Sequence, residues 1–214
     1  MSKAFYRAEC RACPRLAGFL DRVKVDNPGY FCKPVPPFGP PDATLVIVGL
    51  APGMHGANRT GRPFTGDHAG YLLYDTLRKF EFANGTFSPD GDDDLKLNGC
   101  RISNAVKCLP PDNKPATDEI RRCNTYLAAD IARPGMKVLL ALGLIAHGAA
   151  LTALGLKKSF AKFAHGAEHA LPGGLILVDS YHCSRYNTQT KRLTPAMFHA
   201  VFERIRQKID ANHG

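Results

Sequence analysis

The sequence lacks any apolar run that approaches the roughly 20 residues of a membrane-spanning helix, so we do not expect a membrane protein. The N-terminal residues Met1, Ser2, Lys3 and Ala4 lack the apolar core of a secretory signal, which predicts a cytoplasmic location. Internal repeats, heptad patterns and low-complexity tracts are also missing, so nothing indicates a coiled coil or a tail. The length of 214 residues predicts one domain with its own core, and we expect a monomer.

Acidic residues are scarce relative to basic ones. The chain has 19 Asp and Glu against 28 Lys and Arg, which gives a formal net charge of +9. Each Lys or Arg that meets a phosphate releases a condensed counterion, so this excess favours a polyanionic partner. Nucleic acid is the first candidate and a membrane surface the second. A Walker lysine and a paired carboxylate site are both missing, which argues against a nucleotide hydrolase.

The seven cysteines are an odd number, which argues against a disulfide framework in a cytoplasmic protein. Two pairs have spacings that suit metal ligation: Cys10 with Cys13, and Cys108 with Cys123. Four thiolates can surround one tetrahedral zinc ion or one four-iron, four-sulfur cluster, and the spacing does not choose between them. The other three, Cys32, Cys100 and Cys183, have the pattern of small buried hydrophobic residues. Cys32 could instead replace one of the four paired cysteines.

Short apolar runs alternate with amphipathic helical patterns along the chain. Residues 43–48, 101–106, 137–143 and 175–178 predict buried strands, and the patterns between and after them predict helices. This alternation predicts an α/β fold, a three-layer α/β/α sandwich around a mostly parallel four-stranded sheet. An N-terminal segment, 1–42, which contains the first cysteine pair, should pack on this sandwich. The acidic stretch 84–99 predicts a solvated surface loop.

A glycine-rich loop, residues 49–67, follows the first predicted strand. Ligands bind where parallel strands end, so this loop is a candidate site. Arg59 and Arg62 supply positive charge and Phe64 supplies a flat apolar face, which together suit a phosphate, a sugar and a base. The helix predicted after Asp67 would add free N–H groups for an anion. The alternative is an ordinary strand-to-helix connection with solvated arginines.

Three motifs taken together resemble the iron–sulfur uracil-DNA glycosylases, and type 5 more closely than type 4. They are the loop from Gly49 to Asp67, the run from Ile102 to Cys108, and His182 followed by residues 187–195. The resemblance implies the uracil-DNA glycosylase sandwich fold. It also implies a structural four-iron, four-sulfur cluster, with zinc as the alternative, on Cys10, Cys13, Cys108 and Cys123.

The same resemblance implies a repair enzyme that flips uracil, and other deaminated bases such as hypoxanthine, out of DNA. It would hydrolyse the N-glycosidic bond through an oxocarbenium-like transition state and leave an abasic site. Asn104 would pair with the base edge, and His182 would stabilise charge on the base. The remaining base-binding residues would be Phe64, Ala51, Gly49 and His55. The residues implied for DNA binding are Arg59, Arg62, Ser184, Arg185, Lys191 and Arg192.

Two positions depart from the wider superfamily. Ala51 stands where other branches carry a polar or acidic residue, so Asp67 is our candidate for activating water, with helix capping as its alternative role. Cys183 follows His182 where the superfamily often has proline. These departures motivate a second hypothesis, a catalytically silent DNA-binding module of the same fold. An iron–sulfur electron carrier is a third, although it would not need the basic loops.

Overall fold

The computed structural model describes residues 5–211 as one sheet between two layers of helices, with a small separate hairpin. The helices are α1 (Pro14–Asp26), α2 (Ala57–Thr60), α3 (His68–Lys79), α4 (Thr117–Ile131), α5 (Leu144–Ala153), α6 (Arg185–Gln189) and α7 (Pro195–Asp210). The strands are β1 (Leu45–Gly49), β2 (Ala83–Asn84), β3 (Lys96–Leu97), β4 (Cys100–Asn104), β5 (Val138–Leu142), β6 (Glu168–Ala170) and β7 (Ile176–Ser180). No helix among the described residues is long and apolar enough to cross a membrane. The first four residues, in which we found no secretory signal, lie outside the described part.

The main sheet has the order β4-β1-β5-β7-β6. The first four strands run parallel, and β6 pairs antiparallel with β7. The predicted α/β/α sandwich with a mostly parallel sheet is therefore confirmed, and the strand number is corrected from four to five. The additional strand was missed because Glu168, His169 and Ala170 form a run too short and too polar to read as a strand.

Alternate residues of each strand are buried on opposite faces of the sheet. In β1, Ile47 faces the layer of α3 and α7, where it shares a cluster with Leu73 and Phe198. Its neighbour Val48 faces α4 and α5 and shares a second cluster with Leu127. Because side chains alternate along a strand, both faces must be apolar, and every residue of β1 and β5 is buried. The sheet is thus a rigid platform whose four parallel strands all end at the same edge.

The N-terminal segment lies against the loop that follows β4 and against α4. Leu16 of α1 packs with Val106 and Cys123. Arg15 donates from Nε and Nη2 to the two carboxylate oxygens of Glu119 at 2.8 and 2.7 Å. This contact brings the first cysteine pair to the second. The organisation of the full length, 1–214, as one domain stays a prediction.

Candidate active site

A pocket of about 480 Å³ opens at the carboxyl ends of the parallel strands. Residues after β1, at the end of β4 and after β7 all contribute to its lining. The predicted residues that meet there are Ala51, Phe64, Asp67, Asn104, His182, Ser184 and Arg185. The sheet therefore assembles one site from three separate stretches of sequence. Ligands of open α/β sheets bind at the carboxyl ends of the parallel strands, where these stretches meet.

Gly49 leaves the space that two other site residues use. It is paired with Asn104 across β1 and β4, and a Cβ on Gly49 would collide with Asn104 Oδ1. The same Cβ would lie 2.8 Å from Cζ of Phe64. Gly49 thus lies against two predicted base-binding residues, Asn104 and Phe64, without lining the pocket itself. Any side chain at this position would push the amide and the aromatic ring apart.

Phe64 has a left-handed backbone, with φ at +56°, a conformation that is costly for a bulky residue. Tyr74 fixes the preceding residue, because its hydroxyl donates to the carbonyl of Pro63 at 2.5 Å. The Phe64 ring stacks on the ring of His182, with centroids 5.7 Å apart and planes 25° apart. The strained backbone therefore holds a flat apolar face against the histidine.

His182 follows β7 and is held through its backbone, because Asn187 Nδ2 donates to its carbonyl at 2.8 Å. Burial of the ring lowers the pKa of His182 to about 4. The imidazole is therefore neutral at neutral pH and presents one N–H donor. A neutral donor can stabilise a developing negative charge without transferring its proton.

Asp67 lies at the start of α3, but its carboxylate makes no capping hydrogen bond. It lies instead inside the glycine loop. A Cβ on Gly53 would be 2.7 Å from the carboxylate, and one on Gly56 would overlap it. Burial raises the pKa of Asp67, and a hydrogen bond from the backbone of Ala57 opposes that rise. The glycines therefore cradle an acid at the pocket wall, which excludes simple helix capping as its role.

Two histidines close to this wall differ from expectation. His55 does not line the pocket, since its Nδ1 is 2.8 Å from the hydroxyl of Tyr30. His68 was missed by sequence reasoning and does line it, with Nε2 3.3 Å from Oγ1 of Thr188. The position of His68 directly after Asp67 was the available signal. A role of His55 in base binding stays a prediction.

The two arginines of the glycine loop pair with the acidic stretch. Arg62 binds both oxygens of Asp93 at 2.7 and 2.5 Å, and the Asp93 side chain is only 1% exposed. Arg59 pairs with Asp90 at 2.8 Å. The Arg62 guanidinium lowers the pKa of Asp93 to about 2. Most of the acidic stretch is exposed, as expected of a surface loop, but the Asp93 side chain is buried, and these pairs favour a structural role for both arginines over DNA contact.

The residues after His182 remain available to a ligand. Ser184 caps α6 by accepting the N–H of Asn187 at 3.4 Å. Arg185 is exposed at the pocket mouth. Lys191 is also exposed, and the Arg192 guanidinium lies 4.6 Å from the ring centre of Tyr181. The DNA-binding role of these side chains stays a prediction.

A second site brings together the four paired cysteines, all with free thiols. Cys10, Cys13, Cys108 and Cys123 line one cavity between α1, α4 and the loop after β4. Burial and the three other thiols raise the pKa of Cys108 to about 12, and burial raises that of Cys123 to about 11. Four cysteines around one cavity are the donor set of an iron–sulfur cluster or a zinc ion, so the residues fit such a group.

The other three cysteines lie elsewhere. Cys32 packs in a hydrophobic cluster with Leu20 and Leu109, and it accepts a 3.5 Å hydrogen bond from Asn58. Cys100 and Cys183 are fully buried in the core below α3 and α7. The structure therefore does not place Cys32 among the four thiols.

A buried ion pair connects the two sites, and sequence reasoning missed it. Nζ of Lys107 donates to Asp130 Oδ2 at 2.8 Å, to the carbonyl of Asn104 at 3.0 Å, and to Ser103 Oγ. The backbone N–H of Lys107 donates to Sγ of Cys123 at 3.3 Å. The short segment from Asn104 to Cys108 thus runs from the pocket to the thiols, with Lys107 fixing its middle. A lysine and an aspartate 23 positions apart give no sequence signal.

Comparison with known proteins identifies the family. The model of the uracil DNA glycosylase superfamily matches residues 36–206, so the chain belongs to that superfamily. A type-5 uracil-DNA glycosylase of Thermus thermophilus is 46% identical over 195 residues, which cover 88% of this chain and 89% of the relative. Type-5 enzymes of Mycobacterium leprae and Pyrobaculum aerophilum are 40% and 37% identical, over 90% and 91% of this chain and 88% and 87% of theirs.

Proposed function

We propose that this chain is a monofunctional uracil-DNA glycosylase of base-excision repair. The observation that carries the proposal is the convergence of an amide, an aromatic face, a neutral imidazole and a cradled carboxylate in one pocket. The names of its relatives and the excess of positive charge support the same conclusion. The product would be an abasic site and a free base.

Recognition begins with extrusion of the base, because a base inside a duplex cannot be reached. Phe64 supplies the apolar face for the flipped ring. The amide of Asn104 offers a donor and an acceptor, which match the imide edge of uracil. Asn104 is 4% exposed at the end of β4, so its orientation is fixed before the base arrives. Such preorganisation lowers the cost of binding.

His182 assists the departure of the base. As the glycosidic bond breaks, negative charge grows on the carbonyl oxygens of uracil, and a positioned donor stabilises it by about 3 kcal/mol. The imidazole supplies this donor in its neutral form, because its pKa of about 4 lies well below neutral pH. The bonding electrons leave with the base, and the sugar becomes an oxocarbenium ion.

Asp67 completes the hydrolysis. Its carboxylate lines the pocket wall and accepts a proton from the water that attacks the anomeric carbon. Burial raises its pKa and so makes the carboxylate a stronger base than an exposed aspartate. Ala51, where other branches carry a polar group, leaves this task to Asp67.

We also propose that the four thiols hold a four-iron, four-sulfur cluster, which would supply structure and no redox chemistry. Cys10, Cys13, Cys108 and Cys123 would bind it. Cys123→Ser should lower iron and sulfide content per chain, whereas Cys32→Ala should keep both. A purified protein that contains zinc and no sulfide would show that the zinc alternative is right.

The test of activity is a duplex oligonucleotide with one uracil opposite guanine, followed by alkali, with His182→Ala as the control. Strand cleavage that is lost in the variant supports the proposed chemistry. Intact DNA after incubation with a folded protein that still binds the duplex would instead establish the silent DNA-binding module.

The base range should extend to hypoxanthine. Ala51 keeps the side chain small at the pocket wall, and the pocket volume of about 480 Å³ leaves space for a purine. Ala51→Leu should narrow the pocket and reduce hypoxanthine release more than uracil release, as measured on matched duplexes. Equal loss on both would contradict this explanation. The cytoplasmic location and the monomeric state expected from the sequence stay predictions.

A further inference from the structure

A groove of about 750 Å³ lies between α4, α5 and the segment that follows α5. Among residues 5–211, three exposed cations line it, Arg121 on α4 and Lys158 and Lys162 beyond α5, and no carboxylate does. Within residues 5–211, none of the three has an ion-pair or hydrogen-bond partner. Unpaired cations around a concave surface favour an anionic ligand.

The walls of this α4–α5 groove are apolar. Leu144 and Ile145, at the start of α5, are 66% and 45% exposed, and Phe163 also lines the groove. The stem of Lys158 lies along α5, where a Cβ on Gly148 would be 3.4 Å from its Cδ. Cations beside exposed apolar faces are typical of surfaces that bind a nucleic acid strand, since phosphates meet the charges and bases meet the apolar groups.

The groove begins where the candidate active site ends. Asn113 lines the pocket, whereas Pro115, two positions later, lines the groove. On the other side, a Cβ on Gly143 would lie 3.8 Å from Cβ of His182, and the next residue is Leu144. Both concave surfaces therefore open at the carboxyl edge of the sheet, and one DNA strand can pass from the first to the second.

We propose that the α4–α5 groove binds the sugar-phosphate backbone of the substrate strand next to the extruded nucleotide. The assignment of the strand as substrate rests on the proposed function, whereas the binding of DNA in the groove rests on its own charges. A second copy of this chain is disfavoured as the occupant because it carries the same net positive charge.

The test is the double variant Lys158→Gln/Lys162→Gln, with Arg78→Gln/Lys96→Gln as the matched control. Arg78 and Lys96 are also exposed, and Arg78 lies in the last turn of α3, away from the end that lines the pocket. Two lost phosphate contacts should weaken DNA binding about 20- to 60-fold at 0.1 M salt and reduce the salt slope by about 1.4 to 1.8. The control should bind like the wild type.

Fluorescence anisotropy with undamaged and with abasic duplexes measures the affinity independently of excision. Single-turnover excision should show an unchanged maximal rate and a raised half-saturating concentration, because the lysines do not touch reacting atoms. A very short substrate that ends at the extruded nucleotide should not distinguish the variant from the wild type.

Equal affinity and equal salt slope for the groove variant and the control would overturn the proposal. If the wild type excises no uracil but the groove variant still loses DNA affinity, the proposed function fails and the groove assignment stands. If excision is normal and the groove variant binds like the wild type, the groove assignment alone fails.

Discussion

The buried pair between Lys107 and Asp130 offers the sharpest test of how the pocket is held. Their side chains are 3% and 5% exposed, and Lys107 also donates to the carbonyl of Asn104. Lys107→Met keeps the length of the side chain but leaves the Asp130 carboxylate buried, with only Ser103 as a hydrogen-bond donor at 2.7 Å. Breaking a buried pair in this way costs about 3–5 kcal/mol. For a chain of this size we expect the melting temperature to fall by roughly 6–20 °C.

Replacement of both partners separates stability from function. Lys107→Met/Asp130→Leu removes the unpaired charge together with its partner, so stability should return close to the wild-type value. The carbonyl of Asn104 still loses its donor, and the amide is free to shift. Because a misplacement of about 1 Å can cost about 100-fold in rate, single-turnover uracil excision should remain low.

Urea unfolding and single-turnover excision on the same preparations measure the two effects. A double variant that recovers both stability and rate would refute the idea that Lys107 positions Asn104. A single variant that loses less than about 1 kcal/mol would show that the pair is not buried in solution, since exposed pairs contribute only that much.

Three further predictions concern the pocket. Gly56→Ala should displace the Asp67 carboxylate and lower single-turnover excision about as much as Asp67→Asn, at least ~100-fold, with normal DNA affinity. The control is Gly29→Ala, where a Cβ meets no atom within 4 Å. Equal excision rates for Gly56→Ala and Gly29→Ala would contradict the role of the glycines around Asp67. The excision rate should fall as pH decreases through the raised pKa of Asp67, and this acid limb should be absent from the residual rate of Asp67→Asn. In the folded protein His182 stays neutral down to about pH 4, whereas in the unfolded chain its pKa is about 6.5. Its contribution to stability is therefore complete above about pH 6.5 and is lost as pH falls from there to about 4. Urea unfolding at a series of pH values should show a smaller loss of stability over this interval in His182→Ala.

Much of the fold could be predicted because buried parallel strands have continuous apolar sequences. β1 and β5 are such runs, bounded by turn residues, and both were located to within two residues. β6 could not be predicted, since its three residues form a strand only because β7 offers an unpaired edge. Pairing at an edge depends on tertiary structure that local patterns do not contain.

The site also has a part that the sequence predicts and a part that depends on the folded structure. Asn104 and His182 follow apolar runs, and the family resemblance gave them roles before their geometry was known. The cradle of Asp67 could not be predicted, because it depends on the distance between its carboxylate and Gly56 after folding. The ion pair of Arg62 could not be predicted either, since its partner Asp93 lies 31 positions away in a stretch with the composition of a solvated loop.

The segment from Asn104 to Cys108 has a consequence for how the protein matures. One end carries the amide that we propose reads the base, and the other lies among the four thiols that we assign to the cluster. A newly made chain without its cofactor would therefore hold the Asn104 amide on a segment that is fixed at Lys107 but not at Cys108. Competence to excise a base would then be acquired in one step, when the cofactor is delivered, so that unfinished copies neither remove bases nor leave abasic sites in the genome.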